Sequence, residues 1–184
     1  MPTQTRRERA REERRTLILR AARDLAESEG WDAVTTRRLA EAVDYSQPVL
    51  YGHFKNMDAI ADAIALEGIE ELTAVLREAR ETGGLHALAQ AYLDYAAEHP
   101  AVYEAMFVRP TDLAFGSPDS PAVLKSAFEQ FLAAVEPFAG DDPETLAEVL
   151  WSALHGQATL NRTNRLRPTH RQARAELLVE LLTR

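Results

Sequence analysis

The chain has 184 residues, of which 46% are hydrophobic and 27% charged, with a formal net charge of −8. That size accommodates one domain, or a small domain joined to a modest second one, and the composition excludes wholesale disorder. Cysteine is absent, which excludes a disulfide framework, a thiol nucleophile and a cysteine-ligated zinc site.

The periodicity predicts helix almost throughout. Leu17, Ile18, Ala21, Ala22, Leu25 and Ala26 form one apolar stripe of a first helix, and Gly30 ends it. The run RRERAREERR before the stripe reads as a solvated extension of that helix rather than a minor-groove arm. Thr35 is expected to cap a short helix holding Leu39, Ala40 and Val43. Asp44 and Tyr45 form a turn, and Ser46 is placed to cap a third short helix. Gln47 and Pro48 fall in its first turn, where proline costs no hydrogen bond.

Asn56 starts a long fourth helix with Ile60, Ile64, Ile69, Leu72 and Leu76 inward, and Gly83–Gly84 ends it. Leu85, Leu88, Tyr92, Tyr95 and His99 share one face of a fifth. Pro100 opens a sixth, with Val102, Tyr103, Met106 and Phe107. Residues 109–120 read as a loop. Ser120–Pro121 begins a helix bearing Leu124, Phe128, Phe131 and Val135. Asp142–Pro143 begins one bearing Leu146, Leu150, Leu154 and Gln157. A last helix from about Thr169 carries Leu177, Leu178, Leu181 and Leu182. No segment alternates as a strand would, so the expected fold is all-α with about nine helices.

The charge is uneven along this string of helices. Residues 1–55 carry 11 Lys/Arg against 9 Asp/Glu, residues 56–160 carry 4 against 18, and residues 161–184 carry 6 against 2. A basic end on an acidic body is the pattern expected when one end faces phosphate. No apolar run reaches the roughly 20 residues needed to span a bilayer. The N-terminal stretch MPTQTRRERAREERR has no apolar core of a signal peptide. A cytoplasmic location is the expectation.

Two short helices around a tight turn, too short to stand alone, are the layout of a helix-turn-helix head. The N-terminal end of its second helix would enter a major groove. There Gln47 can pair bidentately with a base edge, and Pro48 and Val49 can touch thymine methyls. Thr36, Arg37, Tyr51, His53 and Lys55 would reach phosphates, which fix register rather than read sequence.

The stretch TTRRLAEAVDYSQPVLYGHFKNMDAIADAI closely resembles the DNA-binding domain of the TetR family of transcriptional regulators. The residues that carry the likeness are Thr35, Leu39–Ala40, the Asp44 turn, Leu50–Tyr51, His53–Phe54, Lys55 and Asn56. It implies DNA-contact roles for Thr36, Arg37, Gln47, Pro48, Val49, Tyr51 and His53. The chain departs from the pattern at Asp44, where glycine is usual; at Met57, where lysine is frequent; at Gly52, where many members are bulky; and at Val43 and Tyr45. Aspartate tolerates the left-handed turn better than most residues. The resemblance implies a head at 10–57, with its motif at 35–54, and a helical ligand-binding and dimerisation domain at 58–184.

HPAVYEAMF at 99–107 and Trp151-Ser-Ala-Leu-His155-Gly156 look like the subgroup whose C-terminal domain is called WHG, here about 84–182. Tyr92, Tyr95, Tyr103, Phe107, Phe128, Trp151 and His155 fall on inward faces of the body's helices. They either fill a core or line a pocket for a mainly apolar or aromatic effector. Leu146, Leu150, Leu154, Leu177, Leu178, Leu181 and Leu182 offer more apolar surface than one protomer needs. They are expected to form a homodimer interface rimmed by six arginines from Arg162 to Arg184. His86, His99 and His155 lie on separate segments without paired ligand spacing, so neither metal nor cofactor is expected. The chain lacks a paired-carboxylate signature, Ser-His-Asp spacing and a glycine-rich phosphate loop, which argues against an enzyme. The expected function is a homodimeric repressor that binds a palindromic operator with half-sites about 34–36 Å apart and is released by a small molecule. An activator and an effector-independent DNA binder stand as alternatives.

Overall fold

The computed structural model describes residues 6–111, 113–114, 117 and 120–184. The first five residues, and positions 112, 115, 116, 118 and 119 of the expected loop, lie outside the described residues. The described chain is all-α, with eight helices. They are α1 (Arg6–Glu29), α2 (Thr36–Val43), α3 (Gln47–Tyr51), α4 (Met57–Glu98), α5 (Pro100–Phe107), α6 (Ala122–Val135), α7 (Pro143–Arg162) and α8 (Arg171–Leu182). α4 contains the fourth and fifth expected helices, which meet across a kink at the expected boundary, where Gly84 has a non-helical φ of 65° and ψ of −150°. No described helix is long and apolar enough to cross a membrane.

Backbone packing divides the chain into two compact units. The first comprises Met1–Ala65 and Ala101–Asp112, so it takes in α1 to α3, the first turns of α4, and nearly all of α5. Its core is built on Ile18, Ala22, Leu39, Val43, Leu50, Phe54, Ile60 and Ile64, all buried. A long-range anchor ties α5 into it. The Glu27 carboxylate accepts from the peptide N–H groups of Ala101 (3.0 Å) and Val102 (3.1 Å). The Trp31 indole N–H donates to the Ala101 carbonyl at 2.8 Å. The Arg109 guanidinium lies over the Trp31 ring, 4.9 Å from its centre. The Thr111 hydroxyl donates to Asp62 at 2.6 Å.

The second unit comprises Leu66–Pro100 and Leu113–Arg184. Ile69, Leu72, Leu76, Leu88, Tyr92, Leu93, Phe131, Val135, Leu150, Leu154 and Val179 form its core. Asp142 caps α7 as expected, accepting from the Thr145 N–H at 3.1 Å. Ser120 does not cap α6. Pro121 holds the N-cap position without a side-chain bond, and the Ser120 hydroxyl instead accepts from the Ser117 N–H at 3.0 Å. Leu150 and Leu154 were expected at a dimer interface, but both are fully buried within the protomer. They sit on the α7 face that meets the core, whereas Val149 and Leu160 on that helix are exposed, as are Leu177 and Leu181 on α8.

Candidate nucleic-acid interface

The second short helix is positioned by caps and turns on both sides. The Thr35 hydroxyl accepts from the Arg38 N–H at 3.3 Å, satisfying one of the free donors at the start of α2. Arg38 then clamps α2 to the end of α1 through the two terminal nitrogens of its guanidinium, which donate to Glu29 at 2.7 and 2.6 Å. That two-pronged bond holds the Glu29 carboxyl below its ordinary range. Asp44 adopts φ 54° and ψ 42° and terminates α2. The Tyr45 N–H reaches back to Ala40 and the Asp44 N–H to Glu41, which are the two bonds of a Schellman turn.

Ser46 stands at the N-cap of α3 but makes no side-chain cap bond. The physical reason is next to it: Pro48, second in the helix, has no N–H, which removes one of the two donors a cap would serve. The Val49 N–H bonds the Ser46 carbonyl instead, at 3.0 Å. Leu50 is the residue that pins α3 inward, while Gln47 and Pro48 are exposed, with Val49 at 37% and Tyr51 at 56%. Beyond α3, Phe54 is buried and Asn56 caps α4, accepting from the Ala59 N–H at 2.8 Å.

The flanking candidates have distinct settings. Thr36 is half-buried, 3.4 Å from the Tyr51 hydroxyl, and its own hydroxyl also points at the Met57 sulfur at 3.6 Å. Met57, which stands where the TetR pattern often has lysine, thus packs against Thr36. Arg37 is exposed and paired with Glu41 one turn on, at 2.9 Å; that hydrogen bond raises its pKa further above the range where it could lose charge. Lys55 is exposed. His53 is half-buried, and its Nδ1 is buried without a hydrogen-bond partner. Burial first, then the charges of Arg11, Arg14 and Arg15, push its pKa down, against an opposing contribution from Glu12. Both effects favour the neutral imidazole over the charged one. These arginines were not among the expected contacts. Neither were Glu27 and Trp31, whose partners lie 74 and 70 residues away, beyond the reach of any local pattern.

The aromatic candidates of the body do not form one group. Tyr92 is buried, accepts from the Trp151 indole N–H at 3.2 Å, and meets Phe131 edge-on at 5.7 Å. His155 lies one turn from Trp151, ring centres 6.4 Å apart, and burial with Arg162 nearby lowers its pKa. Tyr95 is buried; its hydroxyl donates to the Gly68 carbonyl and sits 3.1 Å from Glu71. Phe128 is half-buried. Tyr103 and Phe107 meet edge-on at 5.1 Å on α5, in the first unit. A cleft of about 260 Å³ in the second unit is lined instead by His86, Ala87, Gln90, Gln172, Ala175 and Glu176. Among the described residues no group of His, Asp and Glu is arranged to hold a metal.

Comparison with known proteins bears on both units. Residues 85–183 match the family model described as tetracyclin repressor-like, C-terminal domain, and residues 18–64 match that of bacterial regulatory proteins, tetR family. Over 156 residues the chain is 29% identical to an uncharacterised HTH-type transcriptional regulator of Mycobacterium tuberculosis, covering 81% of this chain and 70% of that one. A shorter stretch of 48 residues is 50% identical to the class A tetracycline repressor protein from transposon 1721 in Escherichia coli, 26% of this chain and 22% of that protein. A TetR-family transcriptional regulator from Pectobacterium atrosepticum has the same fold, with a TM-score of 0.73 at 21% identity, over 98% of this chain and 96% of that one. So does a protein of unknown function from Rhodococcus sp. RHA1, with a TM-score of 0.74 at 23% identity, over 91% and 92%.

Proposed function

The chain belongs to the TetR family of DNA-binding transcriptional regulators, and from that premise we propose that it is a homodimeric repressor released from its operator by a small molecule. The observation that carries the reading is α3: five residues held by Leu50, with Gln47, Pro48, Val49 and Tyr51 turned outward. In a major groove Gln47 would grip an adenine edge, while Pro48 and Val49 would pack on thymine methyls. Thr36, Arg37, Tyr51, His53 and Lys55 would bond phosphates. Arg37 has first to leave Glu41, a small cost for an exposed pair one turn apart.

A second copy supplies the other half of a palindrome. The surface assigned to it is the exposed apolar set Val149, Leu160, Leu177 and Leu181 on α7 and α8. The effector site is assigned to the second unit, around Tyr92, Tyr95, Phe128, Trp151 and His155. The Trp151 indole N–H, the Tyr92 hydroxyl and the His155 ring provide the polar groups in otherwise aromatic surroundings. The ligand class that fits is mainly apolar or aromatic, with one or two hydrogen-bonding groups. Release requires that it prefer the conformation that does not fit the operator, and the coupling is reciprocal, so operator DNA weakens effector binding by the same factor.

Sedimentation tests the assembly. The wild type is expected to be a dimer at micromolar concentration. The Leu177→Arg, Leu181→Arg double variant should be a folded monomer with at least a hundredfold weaker operator binding. A monomeric wild type, or a monomeric variant that binds operator undiminished, contradicts the reading.

A further inference from the structure

The face by which α1 joins the first unit does not end where the core ends. Ile18 and Ala22 are fully buried on it, and stepping back by helical turns from Ile18 leads to Arg14, Arg11 and Arg7. The helix is continuous to Arg6, so from Arg15 back to Arg7 it projects about 12 Å, at about 1.5 Å per residue. Its attachment is Arg15, whose guanidinium lies over the buried Phe54 ring at 4.7 Å. Phe54 stands between His53 and Lys55, just after α3. The arginine face therefore begins beside the C-terminal end of the recognition helix. No ion pair holds Arg11 or Arg14 among the described residues, and both are exposed. The one carboxylate in the same electrostatic neighbourhood of His53 is Glu12, against the three cations Arg11, Arg14 and Arg15.

We infer that Arg11 and Arg14, with Arg7 beyond them, bind the sugar-phosphate backbone of the operator outside the half-site that α3 reads. Two unpaired guanidiniums about one turn apart on a projecting rigid helix suit successive phosphates, and guanidinium is the side chain best shaped for them. About 12 Å of helix corresponds to three or four base pairs at about 3.4 Å per step. The contact is blind to sequence. It adds affinity and salt dependence while leaving discrimination to Gln47, Pro48 and Val49. The inference rests on the DNA-binding reading of α3.

The test uses the full-length protein and a duplex it selects from a random pool, made in two lengths. One ends flush with the outer edges of the half-sites and the other carries about six further base pairs on each side, ample for the about 3.4 Å steps to be covered. On the long duplex, Arg11→Ala with Arg14→Ala should weaken binding at least tenfold. It should also reduce the slope of log affinity against log salt by about two to four, at about 0.9 per phosphate over two protomers. The preference over a scrambled duplex should be unchanged. Trimming the duplex should bring the wild type down to the level of the variant, and Arg11→Lys with Arg14→Lys should restore most of the slope. Equal binding by variant and wild type on the long duplex overturns the inference, as does a loss that is the same at both lengths. If the wild type selects no sequence at all, it is the DNA-binding reading that fails, a result distinct from either.

Discussion

Glu27 satisfies two peptide N–H groups at the start of α5 with one carboxylate. Such groups have no partner within their own helix, and the negative charge suits the helix end. With Trp31 and Arg109 it joins segments 70 or more residues apart. Replacing it by alanine strands both donors, and the expected cost is about 1.5–3 kcal/mol for hydrogen bonds to a charged group. Glu27→Gln, which keeps one acceptor oxygen, should lose less. Urea unfolding measures both, and an unchanged stability in Glu27→Ala would show that water serves those N–H groups equally well. This anchor was invisible in the sequence because nothing local marks a glutamate as a distant helix's cap. Asp44 is the contrary case. Its place after Val43 in a tight turn implied left-handed backbone, and it has φ 54°. Thr35, Asn56 and Asp142 were legible for the same reason, since a cap bonds within three residues.

At the scale of elements, the helix boundaries followed the stop and start signals except where proline altered the local geometry. Ser46 is followed by a proline at the second position of α3, and Ser120 is displaced from the N-cap of α6 by Pro121, and neither caps its helix; Asp142, with Pro143 at the first helical position, does cap α7. Gly83 and Gly84 were expected to end a helix, and the helix is interrupted there: Gly84 is not helical, and α4 is two helices joined across a kink. The two glycines do different things. A side chain on Gly83 would meet the Ala87 Cβ at 2.6 Å, whereas Gly84 has open space around it but φ of 65° with ψ of −150°. That backbone region is essentially restricted to glycine, and forcing another residue into it costs of order 1–3 kcal/mol. Gly84→Ala should therefore destabilise the protein by about that amount in chemical unfolding, despite adding a single methyl group in open space. An unaltered or raised midpoint would mean that the break can relax into regular helix. Leu150 and Leu154 show the limit of reading faces from spacing. Periodicity puts them on one stripe of α7 but cannot say whether that stripe meets its own protomer or another. They are core, and the exposed apolar residues of that helix are Val149 and Leu160.

At the scale of the whole molecule, the function was legible in residue identities more than in physics. Charge asymmetry and two short helices around a turn are generic, whereas the run from Thr35 to Asn56 is not. The matches of residues 18–64 and 85–183 to the two family models agree with that reading. The pocket was the least legible part, because inward aromatics look alike in the sequence whether they fill a core or line a cavity. Tyr103 and Phe107 sit on α5 in the first unit, while Tyr92, Trp151 and His155 belong to the second. An acidic middle of 4 Lys/Arg against 18 Asp/Glu repels DNA, so the basic residues around α1 to α3 have to carry the attraction. Their contribution is screened by salt.

Whether α3 reads an operator is decided by binding to DNA from upstream of the protein's own gene, titrated at two salt concentrations against a scrambled duplex, for the wild type and Gln47→Ala. Selective binding that weakens as salt rises is the expected result. In Gln47→Ala the preference should fall by about 1–3 kcal/mol, the worth of one bidentate base contact, while affinity for the scrambled duplex stays the same. A wild type that binds no duplex even at low salt, or a Gln47→Ala variant with undiminished selectivity, would contradict the assignment of α3 as the helix that reads the operator.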